Sequence, residues 1–283
     1  MPELPEVESL AQSLRAALLG RRLDAIAARW APSLRPSPAA ARRALIGKRL
    51  VAVSRHGKYL FLDFSPRVDA PAERQLLLHL RMTGQLFTDP AYRPDKHLRL
   101  RMDFEGQSVF YRDQRKFGGF TLLEGLPGRA AIPHVGPDWL DDLRFPAWQA
   151  RLAGRRAPLK ALLLDQGLAA GLGNLYADEG LFRAGIHPAC PAGDLDAEAA
   201  GRLFAACRQV LRMGIRHGGT TFLDFIDFDG RPGNFRGKLR VYGRAGKPCR
   251  RCGTPIARLR IAGRSSHFCP LCQPESGHPG WRR

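Results

Sequence analysis

Four cysteines near the C-terminus constrain this chain more than any other feature. They fall as Cys249-X2-Cys252 and Cys269-X2-Cys272, with sixteen residues between the pairs. This is the spacing of a four-thiolate structural zinc site. Two disulfides are the competing assignment, but the sequence opens on acidic residues and not on the basic, apolar pattern of an export signal. Cytoplasmic, reducing surroundings are therefore expected, and they favour thiolates. A tetrahedral site with four protein ligands has no position for a reactive water, so the expected cofactor, one zinc ion per chain, holds structure and performs no chemistry. The enclosed residues read as a hairpin, with a strand over 255–261, a turn at Ala262-Gly263, Arg264 at the tip and a return through 265–268. Two strands that short do not stand alone in water. Of the remaining cysteines, Cys207 falls on the apolar face of a helix and reads as core.

Charge limits the partner. Lysine and arginine number 45 against 26 acids, a formal +19, while 44% hydrophobic residues suffice for a real core. A folded protein this basic gains affinity for polyanions by releasing their counterions, and nucleic acid is the leading candidate. No run approaches the ~20 apolar residues of a membrane span. At 283 residues, two domains are expected.

The pattern changes along the chain. After Pro5, Val7, Leu10, Ala11, Leu14 and Leu18 recur at helical spacing until Gly20. Short alternating or apolar runs follow at 50–53, 59–64, 75–80, 97–104, 108–112 and 120–123, separated by Gly, Pro and Asp. Their spacing predicts a β-sandwich. Prolines punctuate 125–157 as a connection. Helices are then expected over 159–165, 174–184 with Gly185 as C-cap, and 197–213 closed by Gly214, the last burying Leu203, Phe204, Cys207, Val210 and Leu211. Residues 215–238 match no regular element, and so long a loop is usually functional or disordered. The fold class is α+β: an N-terminal β-sandwich with a flanking helix, a helical second domain and a zinc-pinned hairpin.

The first residues carry chemistry. The chain begins Met1-Pro2-Glu3-Leu4-Pro5-Glu6-Val7-Glu8. Removal of Met1 would make Pro2 a free secondary amine, which titrates near ~8 rather than the ~10.4 of a lysine. Such an amine attacks electrophilic carbon and condenses with a sugar aldehyde to an iminium, an electron sink for elimination. Glu3 adjoins it as a proton donor or acceptor. A helix start explains Pro5 and Glu8; it leaves Pro2-Glu3 unexplained.

With these parts in place, the sequence resembles the bacterial formamidopyrimidine-DNA glycosylases, which excise oxidised purines from DNA. The resemblance rests on the start Pro2-Glu3-Leu4-Pro5-Glu6-Val7-Glu8, on His56-Gly57-Lys58-Tyr59, on His79-Leu80-Arg81-Met82-Thr83-Gly84 and on Asn174-Leu175-Tyr176-Ala177-Asp178-Glu179. Gly218-Gly219-Thr220-Thr221, Val241-Tyr242-Gly243-Arg244 and the cysteine hairpin complete it, through Gln273. It implies a sandwich domain at 1–130, a connection at 131–157, a helix-two-turns-helix domain with a lesion-capping loop at 158–238, the zinc hairpin at 239–273 and a disordered tail at 274–283. Pro2 is implied as the Schiff-base nucleophile, Glu3 as the acid at the sugar, Lys58 as proton donor in β-elimination and Arg264 in δ-elimination. His97, Arg115, Arg155 and Asn174 match DNA-backbone contacts, and Glu6 and Lys160 match positions near the lesion pocket. Everting a base leaves a hole in the stack, and Met82, Arg115 and Phe117 match the side chains that fill it. The implied partner is double-stranded DNA with oxidised bases or abasic sites, bound by a monomer.

Two departures stand out. The usual Asp-Pro-Arg-Arg-Phe-Gly reads Asp113-Gln114-Arg115-Lys116-Phe117-Gly118, and Lys116 keeps charge while losing bidentate phosphate binding. The endonuclease VIII glycosylases share the Pro2-Glu3 chemistry but prefer oxidised pyrimidines; Leu4 and Met82 favour the purine enzymes. A catalytically inactive zinc-containing DNA-binding module is the rival of another class, and the retention of Pro2, Glu3, Lys58 and Arg264 together argues against it.

Overall fold

Pro5 and the apolar stripe after it form the helix they predict. In the computed structural model, which describes residues 2–221 and 228–275, α1 spans Leu4–Leu18 and buries Val7, Leu10, Ala11, Leu14 and Leu18. The chain divides into two compact units, Met1–Pro133 with Ile215–Arg236, and His134–Gly214 with Gly237–Arg283.

The first unit is a β-sandwich. After β1 (Leu23–Ala28), β2 (Leu34–Arg35) and the helix α2 (Pro38–Leu45) come β3 (Arg49–His56), β4 (Tyr59–Ser65), β5 (Arg74–His79), β6 (Gly84–Phe87), β7 (Leu98–Phe104), β8 (Gln107–Asp113) and β9 (Gly119–Leu123). They form two sheets, β1-β7-β8-β6 and β2-β9-β5-β4-β3. Alternation sends Leu60, Leu62, Phe64, Leu76 and Leu78 of one sheet and Leu100, Met102, Phe104 and Tyr111 of the other into one core, closed by α1. Phe64 and Phe104 stack across it with centroids 6.5 Å apart, and Tyr111 meets Phe120 edge-on at 5.2 Å. At about 25 cal/mol per Å2 of apolar surface, such burial is the main stabilising term of this unit.

The second unit is helical with an appended hairpin. It contains α3 (Phe145–Leu152), α4 (Leu159–Leu164), α5 (Asn174–Ala184), most of α6 (Ala197–Arg216) and the strands β10 (Ala257–Ile261) and β11 (Arg264–Phe268). Gly185 ends α5 at φ +72, with its N–H on Phe182 O and that of Ile186 on Leu181 O, the bonds that satisfy a helix C-terminus. Helices α5 and α6 approach closely because Gly180 faces Cys207: a Cβ there would stand 2.8 Å from Sγ. Burial raises the Cys207 thiol far above its ordinary pKa, so it is an inert core residue.

Some boundaries differ from expectation. Gly214 does not close α6, which continues to Arg216; the left-handed residue that ends it is Gly218 at φ +69. The connection 125–157 contains α3, whose Pro146 falls in the first turn, where a missing N–H costs nothing. The unclassified stretch 215–238 begins in α6, and its residues 222–227 lie outside the described residues, as does most of the tail, 276–283.

Candidate active site

In the sandwich unit, Pro2 is buried immediately before α1, and Glu3 is that helix's N-cap. The Glu3 N–H donates to Glu6 Oε2 at 2.8 Å, while Glu6 Oε1 accepts the Thr220 N–H at 2.8 Å. One buried carboxylate, 3% exposed, therefore fixes both the N-terminal turn and the root of the 217–235 segment. Gly219 makes this fit possible, since its φ is +79 and a Cβ would meet Glu6 Cγ at 2.9 Å. The two ends of that segment are tied by Asn234 N–H to His217 O, Phe235 N–H to Gly219 O and Gly233 N–H to Thr221 Oγ1, and Phe228 joins the sandwich core.

Lys58 occupies the second position of the two-residue turn joining β3 and β4. Gly57 has φ +58 and Lys58 does not, the requirement of a type II′ hairpin turn. The side chain is buried, 7% exposed. Arg55 braces this turn: its guanidinium donates to Gly57 O at 3.2 Å and to Glu8 Oε2 of α1 at 2.8 Å. The helix that begins at Glu3 and the hairpin carrying Lys58 are thus pinned together. His79 lies near Lys58. Burial, then the charges of Arg81 and Lys58, lower its pKa to about 3, so it is neutral at pH 7. Its Nδ1 accepts the Arg81 N–H at 2.9 Å and its ring meets Tyr59 edge-on at 4.3 Å.

Two turns hold the expected void-filling residues, and Asp113 organises both. This carboxylate is wholly buried; it accepts from Thr83 Oγ1 (2.5 Å), the N–H groups of Arg115 (3.2 Å) and Gly118 (2.8 Å), and the Tyr111 hydroxyl (3.3 Å). Met82 precedes Thr83 and is half-buried; Arg115 is exposed, 4.5 Å from the Phe117 ring centroid, and Phe117 is 52% exposed. Lys116, one of the departures, adopts φ +59 and sets its ammonium 5.7 Å from the Trp30 ring centroid. His97 is half-buried, its N–H held by Asp95 Oδ1.

In the helical unit, Asp178 has the corresponding role. It is 1% exposed and accepts from the Lys160 ammonium, from the Ser266 hydroxyl (2.8 Å) and from the His267 N–H (2.9 Å). Lys160, expected near the lesion pocket, is 0% exposed; it binds Asp178 and, at 3.1 Å, Asn174 O, so its ammonium serves the interior. Asn174, the first residue of α5, donates from Nδ2 to Ser265 O at 2.9 Å, next to Arg264, which is exposed at the hairpin tip. The tip turns through Ala262 (φ +47) and Gly263 (φ +75), the two positive values of a type I′ turn. Arg155 is exposed beyond α3. Sequence reasoning assigns no role to Asp113, Asp178 or His79, since nothing local shows that Thr83 will reach Asp113 or that Ser266 and His267 will reach Asp178.

The four cysteines converge. Their sulfur atoms all lie within 4.8 Å of one another, with Cys252 to Cys269 at 3.5 Å, Cys252 to Cys272 at 3.5 Å and Cys249 to Cys272 at 4.0 Å. A metal–sulfur bond of about 2.3 Å in a regular tetrahedron sets sulfur–sulfur edges of about 3.8 Å, so this donor set suits a structural metal ion. Gln273 locks the returning chain, its Oε1 accepting Cys269 N–H and its Nε2 donating to Ile186 O.

Known proteins match this arrangement along nearly the whole chain. Residues 1–120 match the formamidopyrimidine-DNA glycosylase N-terminal domain, 135–225 the H2TH domain of the same glycosylases and 246–274 the zinc finger found in FPG and IleRS. A formamidopyrimidine-DNA glycosylase of Chloroflexus aggregans is 43% identical over 277 residues, covering 96% of this chain and 98% of the relative. The crystal structure of a Lactococcus lactis FPG mutant with DNA containing Fapy-dG superimposes with TM-score 0.89 at 31% identity, covering 97% of this chain and all of the other. A structure of MutM with DNA containing carbocyclic 8-oxo-G gives TM-score 0.87 at 31% identity and the same coverage.

Proposed function

This chain belongs to the formamidopyrimidine-DNA glycosylase family, and from that premise we propose that it excises oxidised purines, 8-oxoguanine and formamidopyrimidines, and then cuts the strand as an abasic-site lyase. The observation that carries the reading is the placement of Pro2: a buried residue before α1, followed by a Glu3 whose backbone is fixed by Glu6. With Met1 removed, the Pro2 nitrogen attacks the sugar C1′ of an everted nucleotide. The C1′–base bond breaks, and the base leaves with its electron pair and a proton. The attached nitrogen then loses its proton, and as Glu3 donates a proton to the ring oxygen O4′ the C1′–O4′ bond breaks and the nitrogen lone pair closes the C1′=N bond of the iminium. Loss of the C2′ proton then expels the 3′ phosphate, with Lys58 in proton transfer, and a second elimination promoted by Arg264 expels the 5′ phosphate. Met82, Arg115 and Phe117 fill the space left by the flipped base. His97, Arg115, Arg155 and Asn174 bind phosphates, and Lys160 supports Asn174 from behind through the bond to its carbonyl. The ion held by Cys249, Cys252, Cys269 and Cys272 is zinc, and it keeps the Arg264 hairpin folded.

Borohydride reduces iminium ions to stable amines, so it should trap a protein–DNA adduct on 8-oxoguanine duplex, with the modified peptide beginning at Pro2. An adduct mapped to Lys58, with Pro2→Gly fully active, would overturn the mechanism. Cleavage confined to oxidised-pyrimidine duplexes would overturn the substrate and favour the endonuclease VIII assignment.

A further inference from the structure

Four arginines gather around a cavity of about 260 Å3 in the helical unit, where α5 meets the cysteine knuckle. Arg183 comes from the end of α5, Arg240 precedes Val241, and Arg250 and Arg251 lie between the metal-ligand candidates Cys249 and Cys252. The acid among them is already engaged: Glu179 is buried and accepts the backbone N–H groups of Arg240 (3.0 Å), Val241 (2.9 Å) and Tyr242 (2.9 Å). Among the described residues none of the four guanidiniums forms an ion pair. Arg183 reaches Met213 Sδ at 3.3 Å, Arg250 donates to Gly237 O at 3.0 Å, and Arg251 lies 4.7 Å from the Phe182 ring centroid.

The charges do not cancel. Four thiolates around a divalent ion carry a net −2, and Glu179 adds at most one more, against four guanidiniums. Burial lowers the pKa of Arg183; Glu179 opposes this, and the like charges of Arg240 and Arg251 add to it. A bound anion relieves that repulsion, and the planar fork of arginine suits the paired oxygens of a phosphate. Arg183 lies nine positions after Asn174, about 13 Å along α5, so the cavity is distinct from the phosphate contact assigned to Asn174.

We propose that this cavity is a separate anion site, in which Arg183, Arg240, Arg250 and Arg251 take a phosphate group. The group belongs either to a small phosphate-bearing solute or to the DNA backbone outside the lesion. The inference does not depend on the chemistry assigned to Pro2.

The test is a titration of the metal-loaded full chain, labelled with 15N, with inorganic phosphate at constant ionic strength, read at the arginine Nε–Hε resonances. Resonances of the four arginines should shift together and saturate in the millimolar range or below, and the exposed-site double variant Arg240→Gln/Arg251→Gln should weaken that binding at least tenfold. Shifts that rise without saturating, or a saturable shift that survives in the double variant, would overturn the proposal. Lesion-duplex affinity measured against salt in the same variant identifies the source. A log–log slope smaller by about 0.9 for each lost contact assigns the site to a DNA phosphate; an unchanged slope with lost phosphate binding assigns it to a free solute.

Discussion

Asp178→Asn tests whether one buried carboxylate holds the arginine hairpin to the helical unit. The substitution preserves volume and one carbonyl oxygen, but it removes the negative charge that the Lys160 ammonium, 0% exposed, binds. Breaking a buried pair from one side costs about 3–5 kcal/mol, and hydrogen bonds from Ser266 and His267 lose their charged acceptor. The total lies within that range rather than above it, because Asn still accepts one of them. Against a typical stability of about 5–15 kcal/mol this is a large fraction. For a unit of this size it corresponds to a fall in Tm of about 10–20 °C. Thermal melts of the metal-loaded protein measure it, and hydrogen exchange of β10 and β11 localises it. Removing the ammonium as well, in Lys160→Met/Asp178→Asn, should recover about 2 kcal/mol or more, since the penalty is chiefly that of an uncompensated ion. A single variant destabilised by less than about 1 kcal/mol, or a double variant no better than the single, would refute the reasoning.

Three further outcomes are expected. Gly219→Ala places a methyl against Glu6 in a backbone conformation that costs a non-glycine residue about 1–2 kcal/mol; base excision should fall at least tenfold, and equal kcat/KM to wild type would contradict the role given to this segment. Folded His79 takes up its proton near pH 3 and unfolded histidine near ~6.5, so the unfolded state holds more protons between these values. Stability from His79 is present above pH 6.5 and is lost as pH falls toward 3; His79→Gln should flatten the pH dependence of Tm in that window, and parallel curves would reject it. Cys252→Ser should release the ion and abolish binding of lesion DNA while the sandwich melts as before, and elemental analysis showing bound zinc retained in the variant would contradict the four-thiolate site.

Long, strongly patterned elements were legible from the sequence for a physical reason: α1, β3 to β5 and β7 to β9 each bury one face against one core, so their periodicity is written in Val7, Leu10 and Leu14 or in Leu60, Leu62 and Phe64. The alanine-rich stretch 24–44 was not, because alanine is compatible with either period; β1, β2 and α2 are fixed by tertiary pairing, and only Ser37-Pro38, a cap and a first-turn proline, marked α2. β6 is four residues, all buried, and shows no alternation. The cysteine spacing announced its own geometry, since two ligand pairs, each with two residues between its members, flank one hairpin and converge. The carboxylates of Asp113 and Asp178 gave no such sign. Thr83 reaches Asp113 across 30 residues, and Ser266 and His267 reach Asp178 across 88 and 89, and no local pattern encodes a meeting at that separation.

Glu6 binds two amides with one side chain, those of Glu3 and Thr220. A latch of this kind has two hands on one bolt. Rotation of Glu6 away from its place would break its bonds to the Thr220 and Glu3 amides in the same motion. Disturbance at either end is therefore felt at the other without any intervening relay of packed residues, over a span of two hydrogen bonds.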